Sequence, residues 1–194
     1  MWRGALIAMF GALLGLLPAI SGCSGAGARR PSWKDAPTPE QAAEAQAVSE
    51  RAQAALDRGD LEQAKAELTR RTALTPRSPE ALQRLGRVLE QQNLIVEAET
   101  CYGRALKLEP DFVGALIGMG RVEALRGNPQ SALKRFETAI EIEPHEASAH
   151  LALGGVLETL GKVEDAQAAY FRSLSADPWL AEASRRIAAL QIGR

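Results

Sequence analysis

The sequence repeats with an internal period of 34 residues, which leaves few folds open to it. One repeat position holds a proline each time, at Pro76, Pro110, Pro144 and Pro178. Two more positions keep the same interval, one with Gly59, Asn93, Gly127 and Gly161 and one with Ala64, Ala98, Ala132 and Ala166. A period of about 20 to 50 residues is typical of repeat architectures, in which each unit is one supersecondary element. We therefore expect a stack of similar units.

The residue types at the repeating positions predict that each unit is a pair of helices. Gly or Asn supplies the left-handed conformation that ends the first helix, and Ala lets two helices cross closely. An apolar residue followed by Gly recurs on the first helices, at Leu85-Gly86, Met119-Gly120 and Leu153-Gly154. The second helices carry a large residue and, three positions later, a small one: Tyr102, Phe136 and Tyr170, then Ala105, Ala139 and Ser173. The proline then ends the second helix, because it lacks an N–H group and restricts the residue before it.

These positions make the chain resemble the tetratricopeptide repeat family over roughly residues 45 to 178. The resemblance implies an all-α fold, a right-handed α-solenoid of about four helix pairs within residues 43–178. The first unit departs from the pattern, with Ala52 for the glycine, Leu68 for the aromatic residue and Arg71 for the small residue, as a terminal unit is expected to do. After Pro178, the apolar face of Trp179, Leu180, Ala183, Ile187 and Leu190 predicts a C-terminal capping helix in residues 179–194.

Residues 1–22 are predicted to be a targeting segment, with Arg3 followed by an apolar run that resembles a secretory signal. The stretch Ile20-Ser21-Gly22-Cys23 resembles the lipobox of bacterial lipoproteins. That resemblance implies that Cys23 becomes the lipidated first residue of the mature protein. Residues 23–42 are rich in Gly, Ser and Pro and have no periodic apolar face, so we expect a lipidated tether or linker there.

Two alternatives stay open for this segment: an uncleaved membrane anchor, and an ordinary signal peptide that leaves a free thiol. Gly11, Gly15 and Pro18 disfavour the anchor, because a spanning helix needs about 20 apolar residues. Ser24 follows the cysteine, whereas many Gram-negative lipoproteins that stay in the inner membrane have Asp there. The expected location is the bacterial cell envelope, on the periplasmic face of the outer membrane rather than the inner membrane.

Charge and motifs disfavour several classes of function. A formal net charge of -1 provides no field that would attract nucleic acid. His145 and His150 are the only histidines, with no cysteine near enough in sequence to complete a zinc pattern. Cys101, beside Tyr102, is typical of a small buried apolar residue, and no glycine-rich phosphate loop follows a strand. We therefore predict a protein that is not an enzyme and has no cofactor, metal or small-molecule substrate.

The family resemblance also implies that a partner binds along the inner surface, which the first helices line. The family's groove positions correspond to Gln46, Ser49 and Gln53 in the first unit and to Gln83, Arg84, Arg87 and Glu90 in the second. They correspond to Gly114, Ile117, Gly118 and Arg121 in the third unit and to Ser148, Leu151, Ala152, Gly155 and Glu158 in the fourth. From these we predict a peptide-binding groove of Gln83, Arg84, Arg87, Glu90, Ile117, Arg121, Leu151 and Glu158.

The chemistry of the groove predicts a partner with acidic anchors. Family members that bind the acidic C-terminus of chaperones use a Lys and Asn clamp at these positions, and this chain has neither residue there. Arg84, Arg87 and Arg121 are expected to converge on a carboxylate through paired N–H donors, beside open backbone at the groove glycines. The alternative is that each arginine pairs with a nearby Glu90 or Glu123.

The expected function is a non-enzymatic, membrane-tethered scaffold or adaptor that binds protein or peptide segments in the cell envelope. One alternative is a pilotin-like assembly factor for a secretin, pilus or secretion system, because some lipidated members of the family act in this way. A structural homo-oligomer and an enzyme of unrecognised chemistry are the alternatives of other classes.

Replacing Cys23 with alanine should release the protein from the membrane, because acyl chains on this residue are the predicted anchor. Fractionation of native cells and mass spectrometry of the mature N-terminus measure the two consequences. An unacylated soluble form in cells that carry the natural sequence, unchanged by Cys23→Ala, would contradict the prediction.

Overall fold

The structure is a computed structural model and describes residues 38–192, a range that contains nine α-helices and no strand. The helices are α1 (Pro39–Asp57), α2 (Leu61–Leu74), α3 (Pro79–Gln91), α4 (Ile95–Leu108), α5 (Val113–Leu125), α6 (Pro129–Ile142), α7 (Ala147–Thr159), α8 (Val163–Ala176) and α9 (Ala181–Ile192). The all-α prediction is confirmed. The predicted signal segment and Cys23 lie outside the described residues, and none of the described helices is long and apolar enough to cross a membrane.

Each turn within a helix pair contains one residue in the left-handed conformation, and φ is positive at Gly59 (74°), Asn93 (61°), Gly127 (80°) and Gly161 (74°). The next N–H group then bonds back to the helix, as Asp60 N does to Ala55 O at 2.9 Å, and the same bond recurs in the other three units. This arrangement satisfies carbonyl groups that a helix end leaves unpaired. Only Gly and Asn occupy the position because other residues adopt this conformation at a greater cost. The predicted role of this column is confirmed.

The repeating prolines end the second helices in the way that their chemistry requires. The residue before each proline has left the helical region, with φ between -125° and -141° at Thr75, Glu109, Glu143 and Asp177. Proline disfavours the α conformation in the residue that precedes it. Three helices also begin with a proline, where the missing N–H group costs nothing: α1, α3 and α6.

The helices pack as four pairs, and α9 packs on the last of them. We call α1, α3, α5 and α7 the first helices, and α2, α4, α6 and α8 the second helices. Each second helix packs on its own first helix and on the helix that follows it in the chain. First helices also meet one another, α3 with α5 and α5 with α7, so they form the inner face of an α-solenoid. The repeating Ala64, Ala98, Ala132 and Ala166 are completely buried, which confirms their predicted place at close crossings.

The large residues of the second helices lie over glycines of the first helices. Tyr102, Phe136 and Tyr170 are almost fully buried. A Cβ atom on the facing glycine would come within 2.8 Å of the ring at Gly86 and within 2.5 Å at both Gly120 and Gly154. Such distances are far below van der Waals contact, so a side chain at these positions would force the two helices apart. The repeated apolar-Gly pair is therefore a packing requirement.

Tyr102 also lies against Gly118 of the next unit. A Cβ atom on Gly118 would lie 2.3 Å from the ring, so this ring fits between Gly86 and Gly118. The prediction that Gly118 leaves open space in the groove is wrong, because the tyrosine fills it. A Cβ on Gly114 would lie 3.3 Å from the Gln83 side chain, whereas the nearest atom to a Cβ on Gly155 is the Tyr170 hydroxyl at 3.9 Å. Open backbone thus remains only at Gly155 among these three.

Gly118→Ala should lower the free energy of unfolding by about 1–3 kcal/mol, because the added methyl group overpacks a ring that is held on both sides. Gly155→Ala is the matched control within a helix, and it should be neutral or should stabilise by about 0.5–1 kcal/mol because alanine is the better helix former. Urea unfolding followed by circular dichroism measures both values. Equal effects of the two substitutions would contradict this packing.

Candidate functional site

The inner face carries the predicted binding residues, but these residues differ in how much of each is exposed to solvent. They are exposed (Arg84 and Arg87), half-buried (Gln83, Glu90, Arg121, Leu151 and Glu158) or buried (Ile117). The exposed pair lies on α3, one turn apart, as its spacing predicts. The surface available to a partner is therefore narrower than the sequence predicts.

Ile117 requires a correction. Only 3% of this residue is exposed, because its side chain packs in a core cluster with Val113, Leu116 and Phe136. Helix α5 is apolar around most of its circumference and is covered by neighbouring helices on several sides. The position that matches the family's groove is thus a core position in this unit.

Glu90 is the centre of a polar cluster that joins the second and third units. Arg121 donates two hydrogen bonds to its carboxylate, from Nε at 2.7 Å and from Nη2 at 3.0 Å, and the Tyr102 hydroxyl donates a third at 2.9 Å. Burial raises the pKa of Tyr102, and the Glu90 charge raises it further, so the hydroxyl stays protonated and donates. Burial alone would lower the pKa of Arg121, but the bonds and charge of Glu90 outweigh it and the pKa is raised. We call this group the Glu90 cluster.

The fourth unit repeats the arrangement with the C-terminal helix as its neighbour. The Tyr170 hydroxyl donates to Glu158 at 2.7 Å, and Arg186 of α9 lies 3.6 Å from the other Glu158 oxygen. Arg186 also donates to Glu182 at 2.9 Å. Burial is again the largest cause of the raised pKa of Tyr170, with Glu158 next. The predicted capping helix thus contributes a cation to this Glu158 cluster.

The third unit lacks such a cluster at the same repeat positions. It has Ala124 where its neighbours have the glutamates, and Phe136 where they have the tyrosines. The first unit has Leu56 and Leu68 at these two positions, so Arg87, which occupies the repeat position of Arg121, faces no carboxylate there. A unit with Tyr and Glu at these two positions has a polar cluster, and a unit with Phe and Ala does not. This combination is the sequence signal that predicts the clusters.

The expectation that three guanidinium groups converge on a ligand is therefore corrected. Arg121 is held by both oxygens of Glu90, and its side chain is only 32% exposed. The alternative, pairing with Glu90, describes Arg121 correctly. Arg84 and Arg87 are different, because the described part of the chain places no acidic side chain within ion-pair distance of either.

Two pockets in the described chain have linings of opposite charge. One, of about 260 Å³, is lined by Gln46, Ser49, Glu50, Gln53, Arg71 and Arg84. The other, of about 250 Å³, is lined by the acidic Glu109, Asp111, Glu143 and Glu146 together with Phe112, Val113, Gly114 and Ile117. Sequence reasoning missed Arg71 as a site residue, although its departure from the small-residue column was visible. The surface is thus basic in one pocket and acidic in the other.

Two other reactive side chains, Cys101 and His150, are packing residues. Cys101 is 7% exposed, and burial raises the pKa of its thiol, which makes it a poor nucleophile. His150 is 5% exposed, and its Nε2 lies 2.9 Å from the Pro144 carbonyl oxygen. Within residues 38–192, no group of three or more His, Cys, Asp or Glu residues is placed to hold a metal ion.

Glu90→Ala should lower the free energy of unfolding by about 1–3 kcal/mol, because Tyr102 and Arg121 each lose an acceptor in a half-buried place. Adding Arg121→Ala should recover part of that loss, which a double-mutant cycle reads as a coupling energy. Glu137→Ala, which removes an exposed carboxylate from α6, is the control for charge. If the Glu90 and Arg121 substitutions change the free energy of unfolding in urea additively, the two residues do not interact and the cluster is contradicted.

Comparisons with known proteins agree with this architecture. Two family profiles, both described as tetratricopeptide repeat, match residues 79–112 and 123–191. Protein adenylyltransferase fic-1 of Caenorhabditis briggsae is 36% identical over 67 residues, which are 34% of this chain and 13% of that protein. The chain therefore matches only a small part of the length of that curated relative.

Solved structures with the same fold have lower identity. A thermophilic tetratricopeptide protein of Thermus thermophilus, TTC0263, is 22% identical with a TM-score of 0.71, over 77% of this chain and 82% of that one. Pseudomonas aeruginosa pilF is 21% identical with a TM-score of 0.68, over 79% and 70%. The first such domain of Spaghetti, bound to an HSP90 peptide, is 19% identical with a TM-score of 0.54, over 59% and 91%. With the helix pairs, turns and crossings described above, these matches show that the chain belongs to the tetratricopeptide repeat family.

Proposed function

We propose that this protein is a non-enzymatic adaptor that binds a protein or peptide segment along its inner face, with acidic groups of the partner anchored near Arg84 and Arg87. The observation that carries the proposal is the contrast between arginines. Arg121 is neutralised by Glu90, whereas Arg84 and Arg87 are exposed without an acidic partner in the described chain. Exposed charges of this kind contribute mainly to the rate and specificity of association.

The charges of the two pockets support a direction for the bound segment. The pocket with Arg71 and Arg84 suits acidic residues, and the pocket with Glu109, Asp111 and Glu143 repels them. Like charges brought together across an interface weaken binding, so a segment with an acidic end is expected to place it over α1 and α3. The remainder of the segment would run toward α5 and α7, where the surface is small and apolar at Ala152 and Gly155.

Membrane attachment is a further part of the proposal. Cys23 and the lipobox-like stretch before it support a lipid anchor, with the described helices presented in the bacterial cell envelope on the periplasmic face of the outer membrane. An adaptor with one lipidated end would concentrate its partner at that surface. The anchor needs more than one acyl chain to be stable, since a single chain gives only marginal binding.

A pilotin-like assembly factor is a second candidate, and the observation that favours it is the similarity of Pseudomonas aeruginosa pilF over 79% of this chain. The partner would then be a subunit of a pilus or secretion system. Catalysis is a weaker candidate. The matched region covers only 13% of the adenylyltransferase, so the activity in that name gives no support for catalysis by this chain.

In the full-length protein in its native host, a photocrosslinking residue at Gln46 on α1 should trap the partner. The same residue at Arg104, exposed on the second helix α4, should not. Arg87→Glu should then weaken capture of that partner about tenfold, through loss of an attractive charge and gain of a repulsive one. Arg104→Glu is the matched charge reversal and should leave capture unchanged.

Both reversals should leave the free energy of unfolding within about 0.5 kcal/mol of the parent, because each changes an exposed side chain without an ion pair in the described chain. If Arg87→Glu leaves capture of the partner unchanged, the binding site does not lie on the inner face. If both charge reversals weaken capture equally, the weakening comes from the changed net charge of the protein and not from a contact at Arg87.

A further inference from the structure

The helix pairs give the described part of the chain two opposite edges. Short turns make the two helices of each pair antiparallel. The turns within pairs, at Gly59 and its equivalents, therefore lie along one edge, which we call the glycine edge. The turns between pairs hold the repeating prolines and lie along the other, which we call the proline edge. Helix α1 begins at Pro39, so the described chain also enters the solenoid at the proline edge.

Three exposed apolar side chains follow one another along the proline edge. Leu108 ends α4 and Ile142 ends α6, and these two residues share a repeat position and are 42% and 41% exposed. Trp179 lies in the turn after α8 and is 92% exposed. Ile142 and His145 line one pocket, and Trp179 occupies the repeat position of His145. The three side chains therefore form a row over three consecutive turns.

Trp179 is not explained by packing within the described residues. The same repeat position is polar in the other units, with Arg77, Asp111 and His145. The backbone N–H of Trp179 donates to Asp177 Oδ1 at 3.0 Å, so the turn is held by its backbone while the ring stays in solvent. An indole ring has a large apolar surface and one N–H donor, and it is favoured where apolar and polar surroundings meet. The boundary of a lipid bilayer is such a place.

The position at which the chain enters the proline edge supports a bilayer as the occupant. Thr38 follows Cys23 by 15 positions. A stretch of this length spans at most about 50 Å when it is fully extended. A lipid on Cys23 would therefore keep the proline edge within reach of the membrane surface. A second contact with that surface is then intramolecular, so a short apolar row is enough to add to the anchor.

The charges of this edge indicate which surface it can approach. The turns that contain Leu108 and Ile142 also expose the carboxylates of Glu109, Asp111 and Glu143. Carboxylates are repelled by an anionic surface, whereas zwitterionic headgroups do not repel them. The same carboxylates disfavour a second copy of this chain, because two identical acidic edges would face each other. The row therefore suits a zwitterionic phospholipid surface.

We propose that the proline edge docks on a zwitterionic bilayer with the Trp179 ring among the lipid headgroups, an inference that rests on the membrane attachment in the proposed function. Leu108 and Ile142 contact the same surface. The inner face is formed by the first helices and not by this edge, so it opens to the side and stays accessible to a partner segment. Docking thus fixes the direction in which the inner face is presented.

The test uses the full-length chain, purified from its native host with its own N-terminal modification and reconstituted in phosphatidylcholine vesicles. Trp2→Phe with Trp33→Phe leaves Trp179 as the one tryptophan of the chain. Lipids with bromine in the upper acyl chain should quench Trp179, and its emission should shift to shorter wavelength. As a control, the tryptophan is moved to the glycine edge by Leu125→Trp in a Trp179→Phe background, and it should be quenched much less. Leu125 ends α5 and is 63% exposed.

Two double substitutions compare the edges. Leu108→Ser with Ile142→Ser should lower the equilibrium constant for docking about tenfold, because two apolar side chains no longer leave water. Val96→Ser with Leu125→Ser removes side chains that are 68% and 63% exposed at the glycine edge, and it should leave the quenching of Trp179 unchanged. Circular dichroism checks that both variants keep their helix content. Equal effects of the two double substitutions would overturn the proposal.

The lipid composition provides a further readout. Vesicles that contain phosphatidylglycerol should quench Trp179 less at low ionic strength, because the carboxylates of the edge are repelled, and added salt should restore the quenching. Stronger quenching in the anionic vesicles would overturn the proposal, because cations elsewhere would then make the contact.

Flotation of the vesicles separates this inference from the proposed function. If the protein floats with the vesicles while Trp179 stays unquenched, docking is wrong and the lipid anchor stands. If the protein does not float, the anchor and docking are both wrong, whereas partner capture at Gln46 still decides the adaptor function. If sedimentation shows a dimer that Leu108→Ser with Ile142→Ser dissociates, a second copy covers the edge and the proposal is overturned.

Discussion

In three of the four helix pairs, an aromatic ring of the second helix packs directly on a glycine of the first helix, and the geometry of these pairs follows from that contact. Tyr102, Phe136 and Tyr170 occupy space that a single Cβ atom would fill. That contact sets the distance within each pair and thereby the place of the next pair. Where it is doubled, at Tyr102 between Gly86 and Gly118, two consecutive first helices approach one ring. Where Leu68 replaces the ring, α1 and α3 stand apart and a pocket opens.

Much of the fold could be predicted from single columns of the repeat. The left-handed turn at Gly59 and its equivalents, the buried Ala98 column and the helix ends before each proline all follow from the chemistry of one residue type. Each of these requirements is local. Because these residues recur every 34 positions, the same turn, helix crossing and helix end form in each unit.

The candidate site could be predicted only in part, because it depends on which residues occur together at two different repeat positions of the same unit. When Tyr and Phe are treated as equivalent large residues, the hydroxyl of Tyr102 is overlooked. That hydroxyl donates a hydrogen bond to Glu90. Arg121 then belongs to that acceptor and is lost to a ligand. Ile117 matches a groove position, yet the apolar surroundings of α5 bury it. The direction of the Arg71 side chain depends on the packing of three helices, which no motif encodes.

The polar clusters have a consequence for how the array responds to its surroundings. The junction of the second and third units has an ionic and hydrogen-bonded contribution through Glu90, and that of the fourth unit with α9 has one through Glu158. The junction of the third and fourth units has Ala124 and Phe136 at the corresponding positions and depends on apolar contact. Apolar contact weakens on cooling, and partly exposed ion pairs weaken as ionic strength rises. Salt therefore weakens the second–third junction and the junction with α9 in particular, whereas cooling weakens the apolar contacts that all three junctions share.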